Sequence, residues 1–468
     1  MTMAGFGFTS GRVAGRQRLA PAPPAEPFGY GVLPASPFEY GQLAYQRPAA
    51  EYLFSFVHGL LLALVLPFTI FWIPLLAIPG MGNFTALDVI LLLLWGSTLL
   101  GLRGSDCSPR RLKTACRIAI YALAPAVFGA VGSLIYDSTS ELTGDALQHF
   151  KRFGFPAILP LALMIASRKQ VGRLRNILVA SVAVMVLIAF TPWASSLPIG
   201  RYLVEGSDRA TGTLADPNDF GYTGVFGALV GATLAAGSAR FRSFGRKCWA
   251  TIGIAAGVTA LVLSASRSAM MGSLAAMLFL LHTSKLSFWR KAGTATALCA
   301  AMLLGWQLFA PYQQRLGVML EQQASEGNAA SRLEAQYVVI RTWLHYPLGV
   351  GFSHMSAATE THTEGMQLIS SVNGSDSVYC DFLLGTGIFG FASLLLCFRS
   401  CWALTRQSAG GQEIAYLRAG VLATFVFGLA TVSPASNAVA PFFFALVGLA
   451  GVNRSNLPAQ AVSRWQAV

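Results

Sequence analysis

Charge is scarce in this sequence. Only 11% of its 468 residues are Asp, Glu, Lys or Arg, whereas 54% are hydrophobic and the mean hydropathy is +0.55. A soluble domain carries roughly a quarter charged residues, so the composition excludes one and implies a polytopic membrane protein. Ionisable groups are almost missing from the apolar runs themselves: Asp88 and Asp381 sit within about a turn of a run's end. Ion- and proton-coupled transporters keep such groups near the bilayer midplane, so their scarcity counts against that class. No G-x-S-x-G occurs, which leaves a nucleophilic serine unsupported. His354, Glu360, His362 and Glu364 have no compact ligand spacing, so no metal site is expected. Internal repeats are absent at any evident period.

What is present is a series of apolar runs, each near the roughly 20 residues that cross a hydrocarbon core as a helix. Twelve can be drawn, from Leu53–Ile78 through Ala292–Ala310, the ninth, to Ala438–Val452. With the N-terminus inside, 25 of the 33 Lys and Arg fall on the cytoplasmic side and every inner loop is basic. Both termini are then cytoplasmic, and the net charge of +13 reads as topology and not as a nucleic-acid footprint. Anionic inner-leaflet lipid is a sufficient partner for it. Fifteen of the 20 acidic residues lie on the other side, so polar chemistry collects on the outer face. None of the seven cysteines falls in a long outer loop, and no outer disulfide framework is expected. The expected organisation is a disordered cytoplasmic tail (1–52), an all-α bundle of about twelve transmembrane helices (53–452) with a long outer loop (311–378) carrying amphipathic helices, and a second tail (453–468).

Three outer segments pair an arginine with a helix start. In "DRATGTLADPNDFGY" (208–222), Asp216 can cap, Pro217 suits the first helical position and Arg209 lies upstream. "LSASRSAM" puts Ser264 or Ser266 before a helix with Arg267 beside it. "SRLEAQYVVIRTW" opens with Ser331 and Glu334 at capping-box spacing, Arg332 at the first position and Arg341 further along. A cation at a helix N-terminus opposes the macrodipole, so three of them on one face imply an awaited anion, for which the arginine fork suits phosphate oxygens. The competing reading has each arginine snorkelling to lipid or pairing with Asp208, Asp216 or Glu334. Asp376 precedes the tenth run, either as a helix N-cap or as a carboxylate placed to take a proton from a hydroxyl. Lys151 and Arg152, outside and basic, are candidates for a second anion or a lipid headgroup.

These segments resemble the O-antigen ligase and O-antigen (exopolysaccharide) polymerase family of integral membrane proteins. "RATGTLADPNDFGY" is similar to its Arg-x-x-Gly…Pro-Asn segment, and "LSASRSAMMGSLAAMLFLL" to its Ser-Arg helix start. "SRLEAQYVVIRTWLHYPLGVGF" is similar to its Ser-Arg…Pro-x-Gly-x-Gly block, and "DSVYCDFLLGTGIFGF" to the segment that closes the long outer loop. The likeness spans about residues 205–400, in order. It implies a GT-C-type glycosyltransferase of the bacterial inner membrane acting at the periplasmic face on glycans carried by undecaprenyl diphosphate, without a metal or other cofactor. The acceptor hydroxyl attacks the anomeric carbon and the lipid diphosphate leaves. Arg209, Arg267 and Arg332 carry over as diphosphate ligands; Asn218, Lys151, Arg152, Arg341 and His362 are further substrate-binding candidates that the resemblance does not itself assign. The ligases usually have His-Asn where this chain has Asp376-Ser377, which favours a repeat-unit polymerase over transfer to lipid A-core. If Asp376 is only a cap, the base passes to Asp381, His362 or Glu364, or no strong base is needed. A chain-length regulator is a common partner of such polymerases. A lipid-linked glycan transporter and a non-catalytic scaffold are the alternatives from other classes.

Overall fold

The computed structural model describes residues 49–102, 108–137, 149–189, 210–236, 244–296, 328–361, 377–408 and 411–452, apart from 72, 79–81, 211–212, 215, 285–286, 294–295, 432–435 and 437. It is mostly helical. In chain order come α1 (Ala49–Ile70), the strands β1 (Pro74–Ile78) and β2 (Gly82–Thr85), α2 (Ala86–Gly101) and α3 (Pro109–Tyr136). A π turn (Phe150–Gly154) and a 3-10 turn (Phe155–Ile158) lead into α4 (Leu159–Ile165). Then follow α5 (Arg168–Ala189), α6 (Pro217–Ala236), α7 (Phe244–Ser264) and α8 (Arg267–Thr283). The chain ends with α9 (Asn328–His345), α10 (Met355–Thr361), α11 (Val378–Arg406), α12 (Gln412–Phe427) and α13 (Ala440–Gly451).

Among the described residues five helices, α1, α3, α5, α7 and α11, are each long and apolar enough to cross a membrane, and α2 and α13 are shorter apolar helices. Eleven of the twelve apolar runs contain a described helix; the ninth lies almost entirely outside the described residues. One expectation is corrected. The first run was drawn to Ile78 as one helix, but α1 stops at Ile70 and residues 74–78 pair antiparallel with 82–85. Pro74 is the cause: it lacks the N–H a continuing helix needs and pushes Ile73 toward extended backbone. Among the described residues the fold is thus mostly helical, consistent with the all-α expectation, with one short β-hairpin.

Hydrogen bonds and ion pairs fix which helix ends lie together. At one end, Glu413 at the start of α12 takes Arg175 of α5 (3.6 Å) and Arg246 of α7 (3.2 Å), and Arg246 Nε donates to the Leu234 carbonyl near the end of α6. Arg111 at the start of α3 donates to the Gln407 carbonyl after α11 (3.1 Å), and Ser408 donates to the Ala450 carbonyl of α13. At the other end, the Val378 amide, opening α11, donates to the carbonyls of Gly428 and Thr431 beyond α12. Tyr222, one turn into α6, donates to Thr424 Oγ1 (2.8 Å) and stacks on Phe427 at 3.8 Å. Close packing uses small residues, as in membrane bundles generally: a Cβ on Gly257 of α7 would strike the Gly224 carbonyl of α6. His58, buried in α1, is satisfied by the Ala162 carbonyl and Ser97 Oγ, both at 3.0 Å, and so ties α1 to α2 and α4.

Candidate functional site

The first two arginine-bearing segments meet. Asp216 Oδ1 accepts the Asn218 amide at 2.7 Å, so Asp216 caps α6 with Pro217 as the first helical residue. Ser266 caps α8, its hydroxyl accepting the Ala269 amide at 3.2 Å, and Arg267 is that helix's first residue. Ala265, at φ 45°, turns the chain sharply between α7 and α8. Asn218 Oδ1 then accepts Ser266 Oγ at 2.8 Å, with Ser268 Oγ at 3.5 Å. The two helix N-termini are thus bridged side by side, and the Ala210 amide donates to the Leu263 carbonyl, bringing the stretch before α6 to the same place. The positive ends of two macrodipoles converge on a half-buried Arg267 and Asn218, a field that favours an anion.

The long loop enters the fold through a break in α11. Gly387 has φ 65° inside the helix. Its neighbours trade partners: the Leu384 and Gly385 carbonyls accept the Val350 and Gly351 amides (2.9 Å each), and the Ile388 amide donates to the Pro347 carbonyl (3.0 Å). Broken helix within a membrane protein is tolerable when other backbone replaces the lost bonds, and the Pro-Leu-Gly-Val-Gly turn at 347–351 does so. Gly349 (φ 89°) and Gly387 lie so close that a side chain on either would strike the other's backbone. Phe352, just after the turn, packs against His149 (5.0 Å, near-parallel) and Phe382 of α11. His149 is buried, and its Nε2 has no hydrogen-bond partner. Burial first, then the Arg152 guanidinium, pushes its pKa from 6.5 down to about 3, so it is neutral at pH 7.

The remaining candidates are distributed as follows. Lys151 is buried and pairs with Asp88 at 3.3 Å, above the Phe84 ring. Asp88 itself closes a capping box with Thr85 at the start of α2. Any anion taken by Lys151 would compete with that carboxylate. Arg152 and, on α9, Arg341 are exposed. Helix α9 is already formed at Asn328, so Ser331 is not its cap and Arg332 is its fifth residue. The residue flanking α11 is Ser377, so the N-cap reading of Asp376 is corrected. Arg209, His362, Glu364, Asp376 and the side chain of Arg332 lie outside the described residues. Among the described residues no cluster of His, Cys, Asp or Glu has metal-binding geometry.

Sequence reasoning missed the Asn218–Ser266 bridge, the Lys151–Asp88 pair and the His149–Phe352 stack, all of which join residues far apart in the chain. The glycine-rich strings "PLGVGF" and "GTG" did carry a signal, since paired glycines outside an ordinary turn indicate close backbone approach.

Residues 252–395 match the family model described as O-antigen ligase, a segment that holds α8 with Arg267, the turn at 347–351 and the break in α11. No curated protein matches the chain. Over this segment the chain is similar to the O-antigen ligase family.

Proposed function

We propose that this protein is a bacterial inner-membrane glycosyltransferase that joins glycans carried on undecaprenyl diphosphate at the periplasmic face, and that it acts as a repeat-unit polymerase. The observation that carries this reading is the bridge between the starts of α6 and α8, with Arg267 at its edge. A glycan-joining reaction of this kind needs an anion site, because its leaving group is a diphosphate whose charge grows as the anomeric C–O bond breaks. Preorganised N–H donors and arginine meet that demand without reorganising at the moment of reaction.

In the proposed step the acceptor hydroxyl oxygen bonds to the anomeric carbon. The bond from that carbon to the diphosphate oxygen breaks, and the electron pair leaves on the lipid diphosphate. The hydroxyl proton passes to Asp376. Arg209, Arg267 and Arg332 hold the diphosphate, Asn218 fixes the two helix starts, and Arg341, Arg152, Lys151 and His362 are assigned to the glycan or a second phosphate. The reading includes twelve spans in a GT-C-type arrangement with both termini cytoplasmic. The basic residues gathered where Glu413 meets Arg175 and Arg246, with the helix-start pair at the opposite end, support that orientation.

Transfer to lipid A-core by the same chemistry is the second reading, favoured by the description of the matching family. Purified protein given its lipid-linked repeat unit separates the two. A ladder of products supports the polymerase, whereas transfer only when lipid A-core is added supports the ligase.

A further inference from the structure

Between α3 and α11, at the end of the bundle away from the helix-start pair, lies a cleft of about 480 Å³. Arg110, Lys113 and Arg117 of α3 and Arg399 of α11 line it, all four exposed, and no Asp or Glu does. Among the described residues none of the four makes an ion pair, although Arg175 and Arg246 at the same end share Glu413. Residues 110, 113 and 117 follow one face of α3, where like charges three and four apart repel. The facing arginine adds to that repulsion. The wall is built and not frayed: Gln407 Nε2 donates to Thr114 Oγ1 at 2.8 Å, and Arg111 donates to the Gln407 carbonyl at 3.1 Å.

The cleft also has a direction. One turn beyond Arg117 the lining becomes Tyr121, and one turn before Arg399 on the antiparallel α11 it becomes Leu396. Ile120 and Leu395, on those same turns, are 60% and 44% exposed. Cations thus give way to apolar surface along the helix axis, in the order that phosphate gives way to acyl chain in a phospholipid. A soluble phosphate would use only the cationic part.

We infer that this cleft binds the headgroup of an anionic phospholipid, its phosphate held by Arg110, Lys113, Arg117 and Arg399 and its acyl chain lying against Tyr121, Leu396 and Ile120. The site is distinct from the proposed transferase site and does not depend on that reading. Basic juxtamembrane pockets favour anionic lipid by about fivefold per cation.

The test uses the full chain, delipidated in neutral detergent, with lipid binding followed by native mass spectrometry and by thermal shift. Phosphatidylglycerol is expected to bind saturably and raise the melting temperature, with phosphatidylcholine and soluble glycerol phosphate each far weaker. The pair Arg117→Gln/Arg399→Gln should weaken phosphatidylglycerol about twenty-five-fold. Lys169→Gln/Arg173→Gln, two basic positions at the same end but outside the cleft, should leave it within about twofold. Equal loss in both pairs would mean diffuse surface charge and overturn the site. Glycerol phosphate as effective as phosphatidylglycerol would make the ligand a soluble phosphate, and equal binding of phosphatidylcholine would remove the charge argument; either overturns the lipid assignment. Wild type that binds no phosphatidylglycerol overturns it outright.

Discussion

Helix α11 is interrupted at Gly387 and repaired by backbone from the 347–351 turn, whereas α6 and α8 start cleanly and are joined by side chains. Both features sit toward the same end of the bundle, where the end of α12 is reached by Tyr222 of α6 and by Val378 at the start of α11. The α11 break is held by amide–carbonyl bonds that any sequence could make, and its specificity lies in the absence of side chains at Gly349 and Gly387. The α6–α8 junction is the reverse: ordinary helical backbone, with specificity in one amide and two hydroxyls. A backbone joint fails all at once when it is crowded. A side-chain joint weakens by degrees, which suits a place where charge must be tuned.

The largest effect should come from crowding the break. In Gly387→Ala the new Cβ would overlap the Leu348 carbonyl, and φ 65° is strained for any L side chain. A loss above about 4 kcal/mol is expected, read as loss of the monodisperse peak in detergent chromatography. Gly96→Ala, where nothing lies within 4 Å, should leave that peak unchanged. Next comes the buried pair: Lys151→Met strands Asp88 and should cost about 3 kcal/mol in thermal unfolding, with Lys151→Met/Asp88→Asn recovering most of it. Asn218→Ala should cost only about 1–2 kcal/mol of stability, because two hydroxyls lose one acceptor. Its effect on transferase rate should be much larger than its effect on melting, and a proportionate loss of both would reduce the junction to scaffold.

An effect of similar size, read through pH, concerns His149. Its folded-state pKa of about 3 lies below the unfolded value of 6.5, so the folded state binds fewer protons between them. The stability it contributes is complete above about pH 6.5 and is lost as the pH falls toward 3. His149→Phe keeps the stack on Phe352 and removes the titration, so its melting temperature should fall less than that of wild type between pH 7 and pH 5. Parallel profiles would mean that the ring is not buried neutral.

Much of the fold was legible because composition and periodicity are local. Apolar runs mark helices, and Asp216-Pro217 and Ser266-Arg267 mark helix starts that the structure keeps. The start of α9 was misread since Ser331–Glu334 has capping-box spacing and yet sits inside a helix formed from Asn328. The hairpin at 74–85 was hidden in a run whose hydrophobicity is the same for strand and helix, with only Pro74 to mark it. Pairings such as Asn218 with Ser266, or Lys151 with Asp88, depend on how helices pack, and no local pattern encodes them. The cationic face of α3 was visible as basic residues, but its facing Arg399 was not.

The most direct test of the central claim is turnover of an undecaprenyl-diphosphate repeat unit by purified wild type, Arg267→Ala and Arg267→Lys, with products resolved by length and folding checked by melting temperature. The account predicts a ladder from wild type, a loss of about a hundredfold or more in Arg267→Ala, and partial activity in Arg267→Lys, all three melting alike. An Arg267→Ala variant that builds the wild-type ladder at the wild-type rate would contradict it.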